Sequence, residues 1–505
     1  MCSLIHALLA GLMPTLFAFA NPPPPSYLAA RNATLRAECV QSLGAELDLQ
    51  EEAAGQVLEA ALQEALALPA SASLLGRSFF NSSLDVRQSR LHRLLQPMPK
   101  GAVLHAHADS LLDSNWFVNV TYEPHCHICG SPSVDQDLTF LFFDDTSAVQ
   151  VPPCPHGSWA RVAALRAAAP SPSEFDAALY RALSLVPRDG QAYPTLDAAW
   201  LKFQALFAVQ RGLLTFEPVF RRYIAAALDV FAADGVQHVE LRYGLSGNVT
   251  YTLDQRGQPA EHLLGLWRDA AAARNLSLLF VASSYRGSPP EAIAAELAGA
   301  QQLGALEGSL VVAYDLVGKE DVAPLLRFAR VLQEGASAPD ALPYVFHAGE
   351  TKERGTPADE NVVDALQLKS ARIGHGYALR NHPALRAEAG RRGVGIEVCP
   401  ISNQVLGLVD DLSNHPLALF VAEGLPVVVA PDDPGFWGAV GLSDDWTLAL
   451  LAAAGRCGAM RLAKQLAINS LEHSLLAPAA REAQLAQWQP RWRRYVQWLL
   501  AAGAA

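Results

Sequence analysis

Two hydrophobic rhythms alternate along most of this chain. Short apolar runs of strand length occupy residues 102–107, 237–242, 277–283, 309–315, 343–347, 371–374, 395–398 and 426–430. Segments with apolar residues at helical spacing separate most of them. Alternating strands and helices predict a parallel α/β sheet. Eight such units over this length predict a closed (β/α)8 TIM barrel rather than an open sheet. The first unit is irregular, because no helical pattern follows its strand until about 196–210. Structureless loops longer than about 12–15 residues are uncommon in compact domains. Residues 119–185 therefore read as an inserted subdomain, and the barrel is expected over 96–118 and 186–505.

The N-terminal pattern is different. Residues 4–19 are almost all apolar and lead into Ala18-Phe19-Ala20, then Asn21 and a proline run. This predicts a signal peptide over residues 1–20, cleaved after Ala20. No later stretch is long and apolar enough to span a bilayer, which takes about 20 apolar residues. Residues 27–95 are rich in Ala, Leu, Glu and Gln, with Leu58, Leu62, Ala65 and Leu66 at helical spacing. They predict a helical appendage, broken near 71–83.

Composition and charge narrow the function. Of 505 residues, 38 are Lys or Arg and 50 are Asp or Glu, a net charge of -12. That balance argues against a general binder of nucleic-acid duplexes, which needs clustered cations. The densest basic cluster, Arg491 with Arg493 and Arg494, reads as the solvated face of a helix whose Trp residues pack inward. Sequons at Asn32, Asn81, Asn119, Asn248 and Asn275 fit glycosylation of an exported chain. The location expected is extracellular, with the lysosome as the alternative. Three of the seven cysteines, Cys126, Cys129 and Cys154, fall in the insert. A Cys129–Cys154 disulfide would close a medium loop, worth about 3 kcal/mol in the chain-entropy model. Cys126 is the alternative partner of Cys154.

Candidate chemistry collects at the C-terminal ends of the runs. Leu104-His105-Ala106-His107 ends the first. Residues two apart on a strand point the same way, so both imidazoles share a face. Phe346-His347-Ala348-Gly349-Glu350 ends the fifth run, Arg372-Ile373-Gly374-His375-Gly376 the sixth, and Ala430-Pro431-Asp432-Asp433-Pro434 the eighth. Each alone has an ordinary reading: a strand-to-helix turn, a surface His, or an Asp helix cap. Together they fall on the rim where barrel enzymes assemble their chemistry. Imidazoles with a carboxylate suit zinc, with a position left for water. Zinc lowers the pKa of bound water to about 7. Glu350 could shuttle protons and His375 could orient the attacking water. Cys126-His127-Ile128-Cys129 is not half of a zinc ribbon, because no second C-x-x-C exists.

In this order, H-x-H, H-A-G-E, G-H-G and D-D-P resemble the adenosine deaminases, metal-dependent hydrolases. Longer strings resemble the adenosine deaminase-related growth factor branch. They include Met98-Pro-Lys-Gly-Ala-Val-Leu-His105, Pro124-His-Cys-His-Ile-Cys129, Asp315-Leu-Val-Gly318 and Glu397-Val-Cys-Pro-Ile-Ser-Asn-Gln-Val-Leu406. The likeness runs from about Leu91 to the C-terminus. It implies hydrolytic deamination of adenosine, with 2′-deoxyadenosine as a second substrate, to inosine-type products and ammonia. One Zn2+ per subunit would be held by His105, His107, His347 and Asp432. Glu350 would protonate purine N1, His375 would steer the nucleophile to C6, Asp433 would bond N7 and the Gly318 N–H would meet N3. Trp200 would lie near the ribose. The resemblance also implies a homodimer formed through 27–95. The insert sits where that branch has its receptor-binding subdomain, which makes a cell-surface receptor or glycan a candidate partner. Two departures fall on the ribose side. Ala108 replaces an acidic residue, with Asp109 following, and Tyr285 stands where a His is expected. The competing reading is a secreted growth-factor-like signalling protein with weak or altered deaminase activity.

Overall fold

The computed structural model describes residues 23–40, 45–132, 138–146, 150–187, 193–454 and 458–504. The leader expected over 1–20 lies outside the described residues. Contacts divide the chain into two units, 1–41 and 42–505. In the first, Pro25–Val40 is a helix on which Asn32 is exposed.

In the second unit each of the eight apolar runs yields a strand. These are β1 Gly101–His107, β2 Val236–Tyr243, β3 Ser277–Tyr285, β4 Val311–Val317, β5 His347–Ala348, β6 Arg372–His375, β7 Gly395–Val398 and β8 Val427–Val429. Strands β1 to β4 form one parallel sheet in chain order, and β5 to β8 a second. Single parallel bridges join the two, Tyr314 to Tyr344 on one side and Ala106 to Asp432 on the other. The result is a TIM-barrel-like α/β fold. Strand β5 is shorter than the run that predicts it. Pro343 has no N–H to give the ladder, and its carbonyl instead accepts from Tyr314 N at 3.0 Å.

Period-2 alternation sorts the strand residues. On β2, Val239 and Leu241 join the main apolar core, while His238, Glu240 and Arg242 share the other face and are also buried. On β7, Ile396 and Val398 join the core while Glu397 takes the opposite face. The barrel interior is therefore strongly polar, with a small apolar cluster of Val281, Ala313 and Val345 packed by Leu475.

From Leu49 onward the N-terminal helices pack with the barrel. Leu49–Leu66 begins with a capping box, Asp48 accepting from Glu51 N and Glu51 accepting from Asp48 N. It lies against Ala459–Glu472 and the C-terminal helix Pro478–Ala504. There Trp488 Nε1 donates to Pro99 O and Trp492 Nε1 to Glu51 Oε1, while Arg493 and Arg494 face solvent as expected.

Between β1 and the helix Leu196–Leu214, the chain forms a small antiparallel sheet of Cys126–Cys129, Thr139–Phe142 and Ala160–Arg161. The disulfide joins Cys129 to Cys154, with Cα atoms 5.6 Å apart. Cys126 is left as a buried thiol, its pKa pushed up to about 12 by burial. This sheet sits directly on the following helix. A Cβ at Gly212 would lie 1.7 Å from Phe140 O, so only glycine permits the approach. Among the other sequon residues Asn81, Asn119 and Asn275 are exposed. No helix among the described residues is long and apolar enough to cross a membrane.

Candidate active site

The strand ends converge as the sequence pattern predicts. His105 and His107 leave β1, His347 lies on β5, His375 ends β6 and Asp432 follows β8. Asp432 Oδ1 lies 3.2 Å from both His105 Nε2 and His107 Nε2. Ring centroids of His105 and His347 are 4.5 Å apart, and those of His105 and His375 4.8 Å. His375 Nε2 is 3.7 Å from Glu350 Oε1 and 3.8 Å from Asp432 Oδ2. Two of these residues hold positive φ without being glycine, His375 at 58° and Asp432 at 60°. Such conformations are costly and persist where surrounding structure enforces them. Here they aim both side chains inward.

Most of the expected site residues line one cavity of about 680 Å³: His107, Asp109, Trp200, Tyr285, Gly318, His347, Glu350, His375, Asp432 and Asp433. His105 is fully buried and is not part of that wall. Tyr285 is 48% exposed, and its ring covers Gly318, where a Cβ would lie 2.7 Å from Tyr285 Cε2.

Several residues that shape the site were not singled out from sequence for these roles. His105 Nδ1 meets Glu397 Oε2 at 2.8 Å, and His347 Nδ1 meets Asp315 Oδ2 at 2.6 Å. Arg242 ties the two carboxylates together, donating from Nε to Asp315 at 2.7 Å and from Nη2 to Glu397 at 2.7 Å. Arg372 links Glu397 to Glu240. Glu320 accepts from the backbone N–H of Gly349 and Glu350 and so fixes the Glu350 turn. Trp200, Phe203, Gln204, Phe207 and Arg211, on one face of Leu196–Leu214, roof the cavity. Charged residues inside otherwise apolar strand runs were the available signal for Asp315, Arg242 and Glu397.

The electrostatics separate the carboxyls. Burial, with the charges of Asp432 and Glu320, raises the Glu350 pKa well above its usual range and so favours the protonated carboxyl. Burial and Asp432 likewise raise Asp433, to which Ser110 Oγ also donates. Burial opposes charge on Asp432, but the imidazoles of His105 and His107 hold it ionised. Burial pushes Asp109 up to about 6, with Arg211 opposing. Burial brings His347 down to about 3.

The donor set fits a metal ion. His105 Nε2, His375 Nε2 and Asp432 Oδ1 are buried without a hydrogen-bond partner. Burial and Arg242 disfavour charge on His105, yet Asp432 and Glu397 raise its pKa. N and O ligands of this kind suit a divalent cation. Ligand atoms of His105, His347, His375 and Asp432 lie within 4.8 Å of one another, as do those of His107, Asp432 and Asp433.

A cluster of imidazoles and a carboxylate that could hold a metal, on the rim of a TIM-barrel-like fold and beside a carboxyl whose pKa burial raises, is the kind of site a metal-dependent hydrolase uses. Comparison with known proteins narrows the class. The family model for adenosine deaminase matches residues 191–488. Adenosine deaminase 2 of Sus scrofa is 36% identical over 485 residues, covering 92% of this chain and 93% of that protein. The human adenosine deaminase 2 is 34% identical, covering 83% of this chain and 82% of its own. Among solved structures, an amidohydrolase from Burkholderia ambifaria with bound zinc superposes at a TM-score of 0.57. It is 22% identical and covers 81% of this chain and 95% of that one. The chain belongs to the adenosine deaminase family, and its relatives are of the adenosine deaminase 2 type.

Proposed function

We propose that the protein hydrolyses adenosine, and 2′-deoxyadenosine, replacing the C6 amino group by oxygen and releasing ammonia, with one zinc ion held by His105, His107, His347 and Asp432. The observation that carries this reading is Glu350. It is a buried carboxyl whose pKa burial and Asp432 raise, and it lines the same cavity as His375, whose Nε2 has no partner. Bound zinc supplies a Lewis acid that makes water nucleophilic at neutral pH. Glu350 donates its proton to N1, which draws electrons from C6. Protonated Asp433 donates to N7 and the Gly318 N–H to N3, so the purine edge is read by donors. His375 orients the attacking oxygen. Asp109, Trp200 and Tyr285 form the sugar side. The test is loss of the adenosine absorbance band with purified zinc-loaded protein. Glu350→Gln should lower the rate by about 10²–10⁴-fold, the usual contribution of a positioned acid–base group. Failure to turn over adenosine, 2′-deoxyadenosine or any related purine nucleoside refutes the reading.

The same reading makes the protein a secreted, glycosylated homodimer acting outside the cell. The leader, the exposed Asn32, Asn81, Asn119 and Asn275 and the Cys129–Cys154 disulfide support export. Residues 27–95 are assigned to dimerisation and 119–185 to a receptor or glycan. Sedimentation of the full chain and of one lacking 27–40 tests the dimer. A monomeric full chain would refute the dimer, and an oligomeric state unchanged by the deletion would remove 27–40 from the interface.

A further inference from the structure

We propose that Asn403 and His415 are positioning residues that fix the tautomer of His375, so that its Nε2 offers a hydrogen to the reaction centre rather than a lone pair to the metal. The inference rests on the deaminase reading above and deepens it.

Leu417 N lies 3.0 Å from His415 Nδ1. A backbone N–H can only donate, so Nδ1 of His415 is bare. His415 is buried, and burial with nearby Arg380 brings its pKa to about 3, so the ring is neutral and its hydrogen sits on Nε2. That Nε2 donates to Asn403 Oδ1 at 2.9 Å. The contact settles which end of the Asn403 amide faces which way, a choice that heavy-atom positions alone leave open. The amide nitrogen therefore faces His375 Nδ1, at 3.1 Å, and donates to it. Nδ1 of His375 is an acceptor, and the hydrogen of the neutral ring is left on Nε2. The relay is held rigidly. Asn403 O accepts from both Leu408 N and Val409 N, and the His415 ring packs edge-on to Tyr377.

His375 Nε2–H then points, without a protein partner, into the space between Glu350 and Asp432. An arriving oxygen completes it. His105 and His347 have the opposite polarity. Their Nδ1 atoms face the carboxylates Glu397 and Asp315, which only accept, so Nδ1 carries the hydrogen and Nε2 keeps its lone pair. Proximity alone would place His375 among the ligands. The amide partner removes it and leaves the place to His107.

Asn403→Asp tests this with almost no change in shape. A carboxylate accepts only, so it moves the His375 hydrogen to Nδ1 and bares Nε2. Zinc-loaded protein with ring-15N-labelled histidine is measured alongside turnover and zinc content. In the wild type, the His375 signals (assigned with His375→Gln) should show a protonated Nε2 and a bare Nδ1. In Asn403→Asp the pattern reverses. There kcat for adenosine should fall about 10²-fold or more, the scale of losing one oriented donor, with KM within about 3-fold. Zinc content should not change. His415→Phe, which frees the amide to turn, should give a smaller loss of kcat. A wild-type His375 protonated on Nδ1 overturns the proposal. So does an unchanged kcat in Asn403→Asp, or zinc lost in step with kcat. The ring signals do not need turnover. An inactive wild type with Nε2 protonated would sink the deaminase reading and leave this one standing.

Discussion

Glu397→Gln probes the support beneath the metal cluster. The Glu397 carboxylate is buried and accepts from His105 Nδ1 at 2.8 Å, Arg242 Nη2 at 2.7 Å and Arg372 Nε at 2.5 Å. Each guanidinium keeps one other carboxylate, Asp315 for Arg242 and Glu240 for Arg372. Neither cation is therefore stranded, and the loss should sit near the lower end of the range for breaking a buried pair, about 3 kcal/mol. The amide must also turn its NH2 either toward Arg372, in place of Oε1, or toward His105 and Arg242 together, in place of Oε2. If it faces His105, that ring must surrender its Nδ1 hydrogen, and the hydrogen moves to the nitrogen that should bind metal. If it faces Arg372, His105 keeps its tautomer but loses a charged acceptor. Either arrangement should weaken zinc binding by about 10–100-fold, the usual effect of removing such a partner. Competition with a fluorescent chelator measures the affinity, and urea unfolding of zinc-loaded protein measures the stability. Zinc affinity within about 3-fold of wild type would refute the view that Glu397 sets the His105 tautomer.

Other consequences follow from packing and titration. Gly212→Ala should destabilise the protein by about 1–3 kcal/mol through overpacking, because its Cβ would lie 1.7 Å from Phe140 O. Gly299→Ala, inside helix Pro290–Gly304 with nothing near its Cβ, should instead stabilise by about 0.5–1 kcal/mol in the same unfolding assay. Replacing Cys129 and Cys154 by Ala should lower the local stability of the insert by about 3 kcal/mol, read as faster hydrogen exchange over the Cys126–Cys129 strand. His415 has a folded pKa of about 3, below its unfolded value of about 6.5, so the unfolded state binds the extra proton between those values. Stability should therefore fall as pH drops below about 6.5. His415→Phe should flatten that slope by up to about 1.4 kcal/mol per pH unit, and equal slopes would refute it.

Much of the fold was readable because period-2 runs bounded by turns leave little choice of element. All eight runs became strands, and H-x-H, H-A-G-E, G-H-G and D-D-P share a rim because each ends its run. What resisted reading depends on long-range geometry. The Arg242 and Arg372 bridges that tie Asp315, Glu397 and Glu240 together join chain segments far apart, and no local pattern encodes them. Which nitrogen of each histidine faces the centre depends on Glu397, Asp315 and Asn403, which lie on different elements. The i, i+3, i+7 face of Leu196–Leu214 looks like ordinary core packing in sequence, yet it roofs the cavity. Cysteine spacing alone left Cys126 and Cys129 as rivals, and the antiparallel pairing of Cys126–Cys129 with Thr139–Phe142 accompanies the choice of Cys129.

The central claim is that His107, not His375, completes the zinc site of an adenosine-deaminating enzyme. Zinc titrated into metal-free wild type, His107→Ala and His375→Ala, with binding and ammonia release from adenosine followed together, tests it most directly. Wild type should gain activity in step with bound zinc. His107→Ala should lose affinity, and His375→Ala should bind zinc with little turnover. Full adenosine turnover by the metal-free wild type, or zinc lost from His375→Ala but retained by His107→Ala, would contradict the account.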